Sequence, residues 1–168
     1  MKKNGLVVMV LVGLALSAYA TGSNFGISSE VHSTLSISCV QYDGSTAYGT
    51  WSVGSKALST AATMTTAQGV MIKNTSTVAV TLSAAAAATA AWTAGSDIGA
   101  NTYKLELKTV PSIPGSVDMS GAAVVTAGTG LGSLGTADGY VFARVTFPSA
   151  STTATKQNMT VTITAGVE

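Results

Sequence analysis

Histidine and cysteine, the residue types that often serve as catalytic base and nucleophile, each occur once in this chain, as His32 and Cys39. They are seven residues apart in a stretch that alternates as a strand does, so they would lie on opposite faces and roughly 20 Å apart. That separation excludes a Cys/His catalytic pair, and a zinc site needs three or four such ligands. A serine nucleophile would depend on the same histidine, and no nucleophile elbow is present. The sequence therefore predicts a protein that is not an enzyme.

The acidic residues are scattered, and the neighbours of the four aspartates indicate turns. Each aspartate stands beside glycine, serine or methionine in a predicted loop, where its side chain can accept backbone hydrogen bonds. A second interpretation is a calcium site, because Ca²⁺ accepts irregular cages of carboxylate and carbonyl oxygens. The candidate ligands are Asp97, Asp118 and Asp138, although no known calcium-loop motif contains them. No other cofactor is predicted.

The chain carries unusually few charges. Charged residues make up 9% of it, compared with about 25% in an average soluble domain. Without residues 1–20, the remainder has 6 basic and 7 acidic residues, a formal net charge of −1. Binding to a phosphate backbone requires clustered Lys and Arg on one face, so nucleic acid is excluded as a predicted partner. A surface rich in Thr, Ser, Asn and Gly loses its water at little cost, which favours association.

The first 20 residues have the form of a secretory signal peptide. Lys2 and Lys3 precede an apolar run from residue 6 to residue 16, and Ala18-Tyr19-Ala20 places small residues at a cleavage position. We therefore predict a secreted or cell-surface protein that begins near Thr21. Two alternatives stay open. One is an uncleaved anchor, which would be the chain's only membrane contact, and the other is a pilin-type leader cut near Gly5.

Residues 103–109 give the clearest structural signal. Tyr103, Leu105 and Leu107 alternate with three charged residues, as expected of a strand with one buried face and one wet face. Similar alternation predicts a strand at residues 31–40, with Leu35, Ile37 and Cys39 facing inward. Further strands are predicted at residues 48–53, 70–73, 78–82, 122–125, 140–147 and 159–165.

These strands predict an all-β domain at residues 31–168, preceded by a flexible N-terminal arm at residues 21–30. The expected architecture is a two-sheet antiparallel β-sandwich of the jelly-roll or Greek-key kind. Within it, residues 70–73 and 78–82 are expected to form a hairpin, and residues 128–139, with five glycines, a loop. The alanine run at residues 84–88 is compatible with a short helix, a continued strand or a loop.

Three side chains have two interpretations each. Cys39 is expected either to face inward as an inert thiol or to bridge two subunits. Trp51 is expected to fill the core between two sheets, the alternative being a sugar platform. Asn74 and Asn158 begin Asn-x-Ser/Thr acceptor patterns for N-linked sugars, which arise often by chance in a Thr-rich chain.

The order of the apolar segments resembles a group of exported surface proteins. The segments that carry the resemblance are Leu35-Ser-Ile37, Trp51-Ser-Val53-Gly54, Val70-Met-Ile72-Lys-Asn74, Val78-Ala-Val80-Thr-Leu82-Ser83, Val145-Thr-Phe147-Pro148 and Thr160-Val-Thr-Ile-Thr164. Together they are similar to the broad group that includes the camelysin and TasA biofilm-fibre subunits and the WxL cell-surface domains. No tryptophan-x-leucine motif is present. The resemblance implies a jelly-roll-like subunit that polymerises by passing an N-terminal strand to its neighbour.

Two functional hypotheses follow from the sequence. The first is a secreted structural subunit of an extracellular fibre, pilus-like filament or surface layer, a homo-oligomer or homopolymer that assembles by β-strand exchange. In it, Phe25 and Ile27 of the arm, continued by Val31, complete a neighbour's open sheet edge. The second is a secreted adhesin module that binds a glycan or a surface partner. Its predicted contacts are Tyr42, Tyr48 and Trp92, which lie near turns.

Overall fold

The computed structural model describes residues 34–168, and this part of the chain is built from strands. In chain order the elements are β1 (Ile37–Gln41), β2 (Ala61–Thr63), a 3-10 turn (Thr66–Gln68), β3 (Val70–Asn74), β4 (Val80–Ala86), β5 (Thr93–Ala94), β6 (Thr102–Val110), β7 (Ala123–Val124), β8 (Thr129–Gly135), β9 (Gly139–Thr146) and β10 (Val161–Val167). The described residues form no α-helix, which confirms the all-β prediction. Nor does any helix between residues 34 and 168 have the length and apolar character that crossing a membrane requires.

The strands form two sheets that are mostly antiparallel. The large sheet has the order β1-β3-β9-β6-β5, with β2 also paired to β9 and β7 to β6. At its centre Leu105 lies opposite Val145 and Leu107 opposite Ala143. The small sheet has the order β10-β4-β8. Among the strands between residues 34 and 168, only β5 pairs in parallel, along two residues of β6.

Both sheets contribute side chains to one hydrophobic core. The alternating residues predicted for β6 and β9 lie in it, because one face of each strand points towards the small sheet. The inward residues of β4 complete the opposite side. The core residues of these three strands are Tyr103, Leu105, Leu107, Val141, Ala143, Val145, Val80, Leu82 and Ala84.

The side chains on the outer face of the large sheet are less exposed to solvent than the sequence predicts. Glu106, expected on the wet face, is only 6% exposed. Its carboxylate accepts hydrogen bonds at 2.7 Å from both Nε and Nη2 of Arg144 on the neighbouring strand. Phe142, on the same face, is 1% exposed because it packs against Gly69, where a Cβ would overlap its ring. The prediction of a fully wet face was therefore wrong.

The first strand is shorter than predicted, and its buried side chain is a different one. It covers residues 37–41, and residues 31–33 lie outside the described part of the chain. Leu35, predicted to face inward, is 42% exposed, whereas Val40 is 8% exposed. The alternation identified the strand but gave the wrong buried residues, because Leu35 lies before the region where β1 pairs with β3.

The predicted hairpin of residues 70–73 and 78–82 does not form, because β3 and β4 belong to different sheets. Asn74 fixes the point at which the chain leaves the large sheet. Its backbone N–H donates to Oδ1 of Asp138 at 2.7 Å, and its side-chain amide donates to the carbonyl of Gly135 at 3.0 Å. These bonds hold the end of β3 against the connection between β8 and β9.

The glycine-rich segment predicted as a loop contains strand β8. Its register with β4 slips twice, leaving Leu131 and Leu134 without a partner in the ladder. Each slip is a β-bulge, in which one strand carries an extra residue. The bulges need backbone conformations that glycine adopts easily, and Gly132 and Gly135 have φ angles of +96° and +62°. The glycines therefore serve a distorted strand rather than a phosphate-binding loop.

Other predictions for individual segments are confirmed. The strand predicted at residues 122–125 is present as β7 at residues 123–124, and the last strand, predicted at residues 159–165, covers residues 161–167. The alanine run, for which helix, strand and loop were all open, continues strand β4 as far as Ala86. Residues 111–121 form no regular element, as their two prolines and two glycines predict.

Candidate functional site

A large groove lies between the two sheets beside strand β10. Its volume is about 1030 Å³, and its floor is the apolar inner face of β6 and β9. Leu105, Leu107, Ala143 and Val145 form the centre of this floor. One wall consists of residues 151–163, which end in β10, and the other consists of residues 48–58. We refer to this space as the groove.

Strand β10 presents an open edge to the groove. The N–H of Ala87 donates to the carbonyl of Thr160, and the N–H of Glu168 donates to the carbonyl of Ala79. These bonds show that even-numbered residues of β10 point their backbone groups at β4. Backbone groups alternate in direction along an antiparallel strand, so those of the odd-numbered residues point away from β4. Within residues 34–168 nothing pairs with them.

The side chains of the same odd-numbered residues face the core. Val161, Ile163, Ala165 and Val167 all stand on the side of β10 that bears the inward residues of β4. Val161 and Val167 are nevertheless 37% and 63% exposed. The strand therefore offers both unpaired backbone groups and uncovered apolar side chains along one edge.

The wall opposite β10 also lacks partners. Residues 49–56, which we call the unpaired segment, make no backbone hydrogen bond to any other residue between 34 and 168. Trp51 and Val53 are half-buried against the core, whereas Ser52 and Gly54 are exposed. The strand predicted at residues 48–53 does not form, because these residues pair with no strand between residues 34 and 168 and belong to neither sheet.

Lysines supply all the charge that the described residues bring to the groove. Lys56 lies at the end of the unpaired segment, and Lys156 lies in the segment that leads to β10. Neither makes an ion pair within residues 34–168. The groove is thus an apolar channel with positive charge at its wall.

Comparison with family models, with curated proteins and with solved structures gave no match for this chain. The similarity to exported biofilm-fibre and cell-surface proteins therefore stays a prediction. A function for this chain is therefore inferred from the geometry of the groove.

Cys39 lines the groove and is exposed, which corrects the prediction of a buried thiol. It does stand on the inner face of the large sheet, opposite Ile72 in the ladder. It lies near the edge of that sheet, however, where nothing in the described residues covers it. The walls of the groove still displace enough water to raise the pKa of Cys39 above its ordinary value.

The aromatic residues proposed to bind glycans do not form one site. Tyr48 and Trp92 both line the groove, whereas Tyr42 is 47% exposed elsewhere. The Tyr48 hydroxyl donates to the carbonyl of Gln68 at 2.9 Å, and the Trp92 indole N–H donates to Oγ of Ser151 at 2.9 Å. The Trp92 ring also packs edge-on against Phe147, with centroids 6.1 Å apart. These contacts explain Tyr48 and Trp92 as packing residues.

Trp51 was predicted to fill the core between two sheets. It packs against the core from the wall of the groove and stays half-buried. Trp51 therefore contacts the core as predicted, but it lies at the border of the core and does not fill the space between the sheets.

The three aspartates proposed as calcium ligands are not brought together. Asp118 binds the backbone and hydroxyl of Ser120 and lies 3.5 Å from Nζ of Lys108. Asp138 accepts the bond from Asn74 described above, and Asp97 lies in the turn before β6. Among residues 34–168 no three acidic, histidine or cysteine side chains are placed to hold one ion.

Several predicted features lie outside the described residues. These are the signal peptide, His32, the arm at residues 21–30 and its assembly residues Phe25, Ile27 and Val31. Of the two candidate glycosylation sites, Asn74 is 9% exposed and its amide is already bonded, so a sugar has no access there. Asn158 lies at the wall of the groove.

Sequence reasoning missed the groove itself, the unpaired segment as its wall, and the two lysines. The alternation at residues 48–53 predicted a strand, and that prediction was wrong, because no strand forms between β1 and β2. The absence of a partner is a property of the folded chain and has no local signal. Lys56 and Lys156 were not singled out because they are exposed and isolated in the sequence.

Proposed function

We propose that this protein is a secreted structural subunit of an extracellular fibre or surface layer that assembles by β-strand exchange. The groove is the acceptor, and the N-terminal arm of another subunit is the donor. The observation that carries this proposal is the open edge of β10 above an apolar floor. Such an edge is a template for one more strand.

The sequence of the arm suits the groove. Phe25, Ile27 and Val31 recur at odd positions, so an extended arm places all three on one face. That face would meet the apolar floor. Gly26, Ser28 and Glu30 would point outward, beside the polar outward residues of β10.

The energetics of insertion are favourable only if side chains and backbone both contribute. Burying Phe25, Ile27 and Val31 provides roughly 5–9 kcal/mol at about 1.5–3 kcal/mol per side chain. Association costs about 4–15 kcal/mol in lost freedom of motion. Each backbone hydrogen bond formed at the edge adds about 0.5–1.5 kcal/mol. Burial alone is therefore close to balanced, and the unpaired backbone groups of β10 decide the outcome.

The proposal extends to the architecture and the location. We propose that the two sheets form a β-sandwich of the jelly-roll kind, which lacks one strand of the small sheet until a donor arrives. Export through the signal at residues 1–20 would place the subunits outside the cell, where head-to-tail donation yields an open filament rather than a closed ring.

Negative-stain microscopy of the mature chain, residues 21–168, tests this function. We expect filaments at high protein concentration, and we expect a variant that lacks residues 21–30 to remain monomeric. A mature chain that stays monomeric at high concentration, and that behaves identically after the deletion, would contradict the proposal.

The second hypothesis, a glycan-binding adhesin, can be tested separately. Trp92 and Tyr48 share the groove, which is the only geometric support for this function in the described residues. Glycan-array binding that is lost in Trp92→Ala, from a protein that forms no filaments, would favour it over the fibre subunit.

A further inference from the structure

We infer that the groove is a slot with two hydrogen-bonding walls, and that it receives the arm of a second copy of this chain, running antiparallel to β10. This inference rests on the proposed strand exchange. To the proposed strand exchange it adds a second wall, the direction in which the inserted strand runs, and the charged residues that favour this direction. The second wall is the unpaired segment.

The unpaired segment has the properties of a strand that has lost its neighbour. Its eight residues make no backbone hydrogen bond within the described part of the chain, and residues 51–54 alternate between half-buried and exposed side chains. Six of the eight residues are exposed, so water can satisfy their backbone groups, and an inserted strand would replace that water with backbone partners. A strand inserted along β10 would have its second set of backbone groups directed at this segment.

Charge gives the slot a direction. The arm carries a single charged residue, Glu30, and the slot carries Lys56 and Lys156. Opposite charges at one end favour the orientation that brings them together, and the reverse orientation leaves them apart.

Lys156 lies at the end where β10 begins. The neighbouring Gln157 accepts hydrogen bonds from the Thr89 hydroxyl at 2.7 Å and from the Ala91 N–H at 3.2 Å. Thr89 and Ala91 follow the last residue of β4, which is opposite Val161.

Lys56 lies at the same end. It stands three residues before Ser59, whose N–H donates to the carbonyl of Pro148 at 3.0 Å. The adjacent Phe147 packs on Trp92, in the connection that follows β4. An arm that brings Glu30 to this end enters with residue 25 near Val167, and it therefore runs antiparallel to β10.

The position of Thr34 favours a second copy over self-insertion. Its N–H donates to Oγ1 of Thr77 at 2.9 Å, close to Ala79, which pairs with Glu168 just beyond the end of β10. A chain's own Glu30 is four residues from Thr34 and reaches at most about 14 Å. The seven residues of β10 extend over about 23 Å. A self-inserted arm would therefore leave Glu30 about 9 Å short of the end where the lysines lie.

A charge exchange between two variants tests the inference. One variant carries Glu30→Lys, and the other carries Lys56→Glu with Lys156→Glu. At low ionic strength we expect each alone to need about tenfold more protein to form filaments, since exposed ion pairs contribute modestly and their reversal adds repulsion. An equimolar mixture should assemble within about twofold of the native threshold, because each arm then meets a slot of opposite charge.

The controls separate charge from loss of fold. Lys73→Glu changes an exposed lysine on β3 outside the slot and should assemble as the native chain does. The differences should largely vanish near 1 M salt, where the Debye length is about 3 Å. A mixture that assembles no better than its separate components would overturn the inference. Self-insertion predicts that result.

Amide hydrogen exchange tests the second wall. We expect the amides of residues 49–56 to become at least about tenfold slower to exchange in filaments than in the variant that lacks residues 21–30. Protection confined to β10 would overturn the two-walled slot while leaving strand exchange intact.

A peptide experiment keeps the slot testable if the mature chain forms no filaments. A peptide of residues 21–33, in excess over the mature chain, should protect the amides of residues 49–56. The same peptide with Glu30→Lys should bind about tenfold more weakly at low salt, as expected of a charge-selective slot. Equal binding of the two peptides, or no protection of residues 49–56, would overturn the inference.

Discussion

The two edges of the small sheet differ in regularity. Strand β10 pairs with β4 through seven consecutive residues without a slip. Strand β8 pairs with the other side of β4, but its register shifts twice, and Gly132 and Gly135 hold left-handed conformations. A regular edge matches the spacing of an incoming strand, whereas bulges twist an edge away from it.

This difference indicates that only one edge is protected against further pairing. In β8 the bulged Leu131 and Leu134 turn their side chains onto the core, and a Cβ at Gly139 would overlap Leu134. In β10 the edge has no charge, proline or bulge, and its residues Val161 and Ile163 line the groove above the apolar floor. Natural sheets usually block such an edge, so its openness supports a role in assembly.

The largest predicted effect comes from placing a charge on each edge in turn. Val167→Lys puts a cation on the inward side of the open edge of β10, at a side chain that is 63% exposed and that the inserted strand would have to bury. We expect the concentration needed for filaments to rise at least ~100-fold, since burying an unpaired charge is strongly unfavourable. Sedimentation of filaments after titration of the protein concentration measures this threshold.

The matched control is Gly130→Lys on β8. A side chain at Gly130 finds open space, and we expect the threshold to stay within about twofold of the native value because this edge is not used. Equal inhibition by both variants would show that the edges are not distinct.

The second prediction concerns the outer face of the large sheet, on the two strands whose inner face forms the floor of the groove. Arg144→Met leaves Glu106 buried, with only Lys104 as an ion partner at 3.5 Å. We expect a loss of about 2 kcal/mol in the free energy of unfolding, below the 3–5 kcal/mol of a fully buried pair because Arg144 is partly exposed. Urea denaturation measures this loss. An unchanged midpoint would show that the pair does not stabilise the sheet.

The third prediction follows from the acid titration of Glu106. Arg144 holds the pKa of Glu106 below its ordinary value of 4.5. Stabilisation from a lowered carboxylate pKa is complete above the unfolded value and is lost as the pH falls through the folded value. The stability difference between the native chain and Arg144→Met should therefore be constant near neutral pH and shrink below pH 4.5. A difference that grows on acidification would contradict this origin.

The fourth prediction uses Cys39 as a reporter of the groove. It is the only cysteine in the chain, so its reaction with a thiol reagent is specific. We expect labelling to be about tenfold slower in filaments than in the variant without residues 21–30, because the inserted strand covers the thiol. The comparison needs a pH well below the raised pKa of the thiol, so that both forms are mostly protonated. Equal rates would mean that the groove stays empty.

The smallest effect is expected at the bulged edge. Gly132→Ala places a side chain at a φ of +96°, which should cost about 1–2 kcal/mol of stability. Gly130→Ala is the control, because Gly130 lies in the same strand without a left-handed φ. We expect neither change to alter the filament threshold once the protein is folded. Thermal unfolding and sedimentation together check this.

The sequence predicted the parts of the fold that depend on local alternation. The strands at residues 103–109 and 140–147 were found because each has one face in the core. Strand pairs and side-chain contacts between residues far apart in the sequence were not predictable. The prediction of a hairpin from β3 and β4 was wrong because Asn74, Asp138 and Gly135 meet only in the folded chain. The prediction of a loop at residues 128–139 was wrong because its glycines are typical of a loop and do not by themselves indicate a bulged strand.

The candidate site was predicted only in part. An open edge was expected on general grounds, but nothing in residues 159–165 distinguishes an edge strand from a central one. Cys39 was placed on the correct face and yet is exposed, since β1 lies at the edge of the large sheet and no residue between 34 and 168 covers the thiol there. Glu106 looked solvated because its partner, Arg144, lies 38 residues further along the chain.

The most direct test of strand exchange is residue-resolved amide exchange along the two edges, with the mature chain in filaments compared to the variant that lacks residues 21–30. We predict strong protection of Val161, Ile163, Ala165 and Val167 in filaments only, and no change along the edge of β8. Equal exchange of these four amides in both samples would contradict the account.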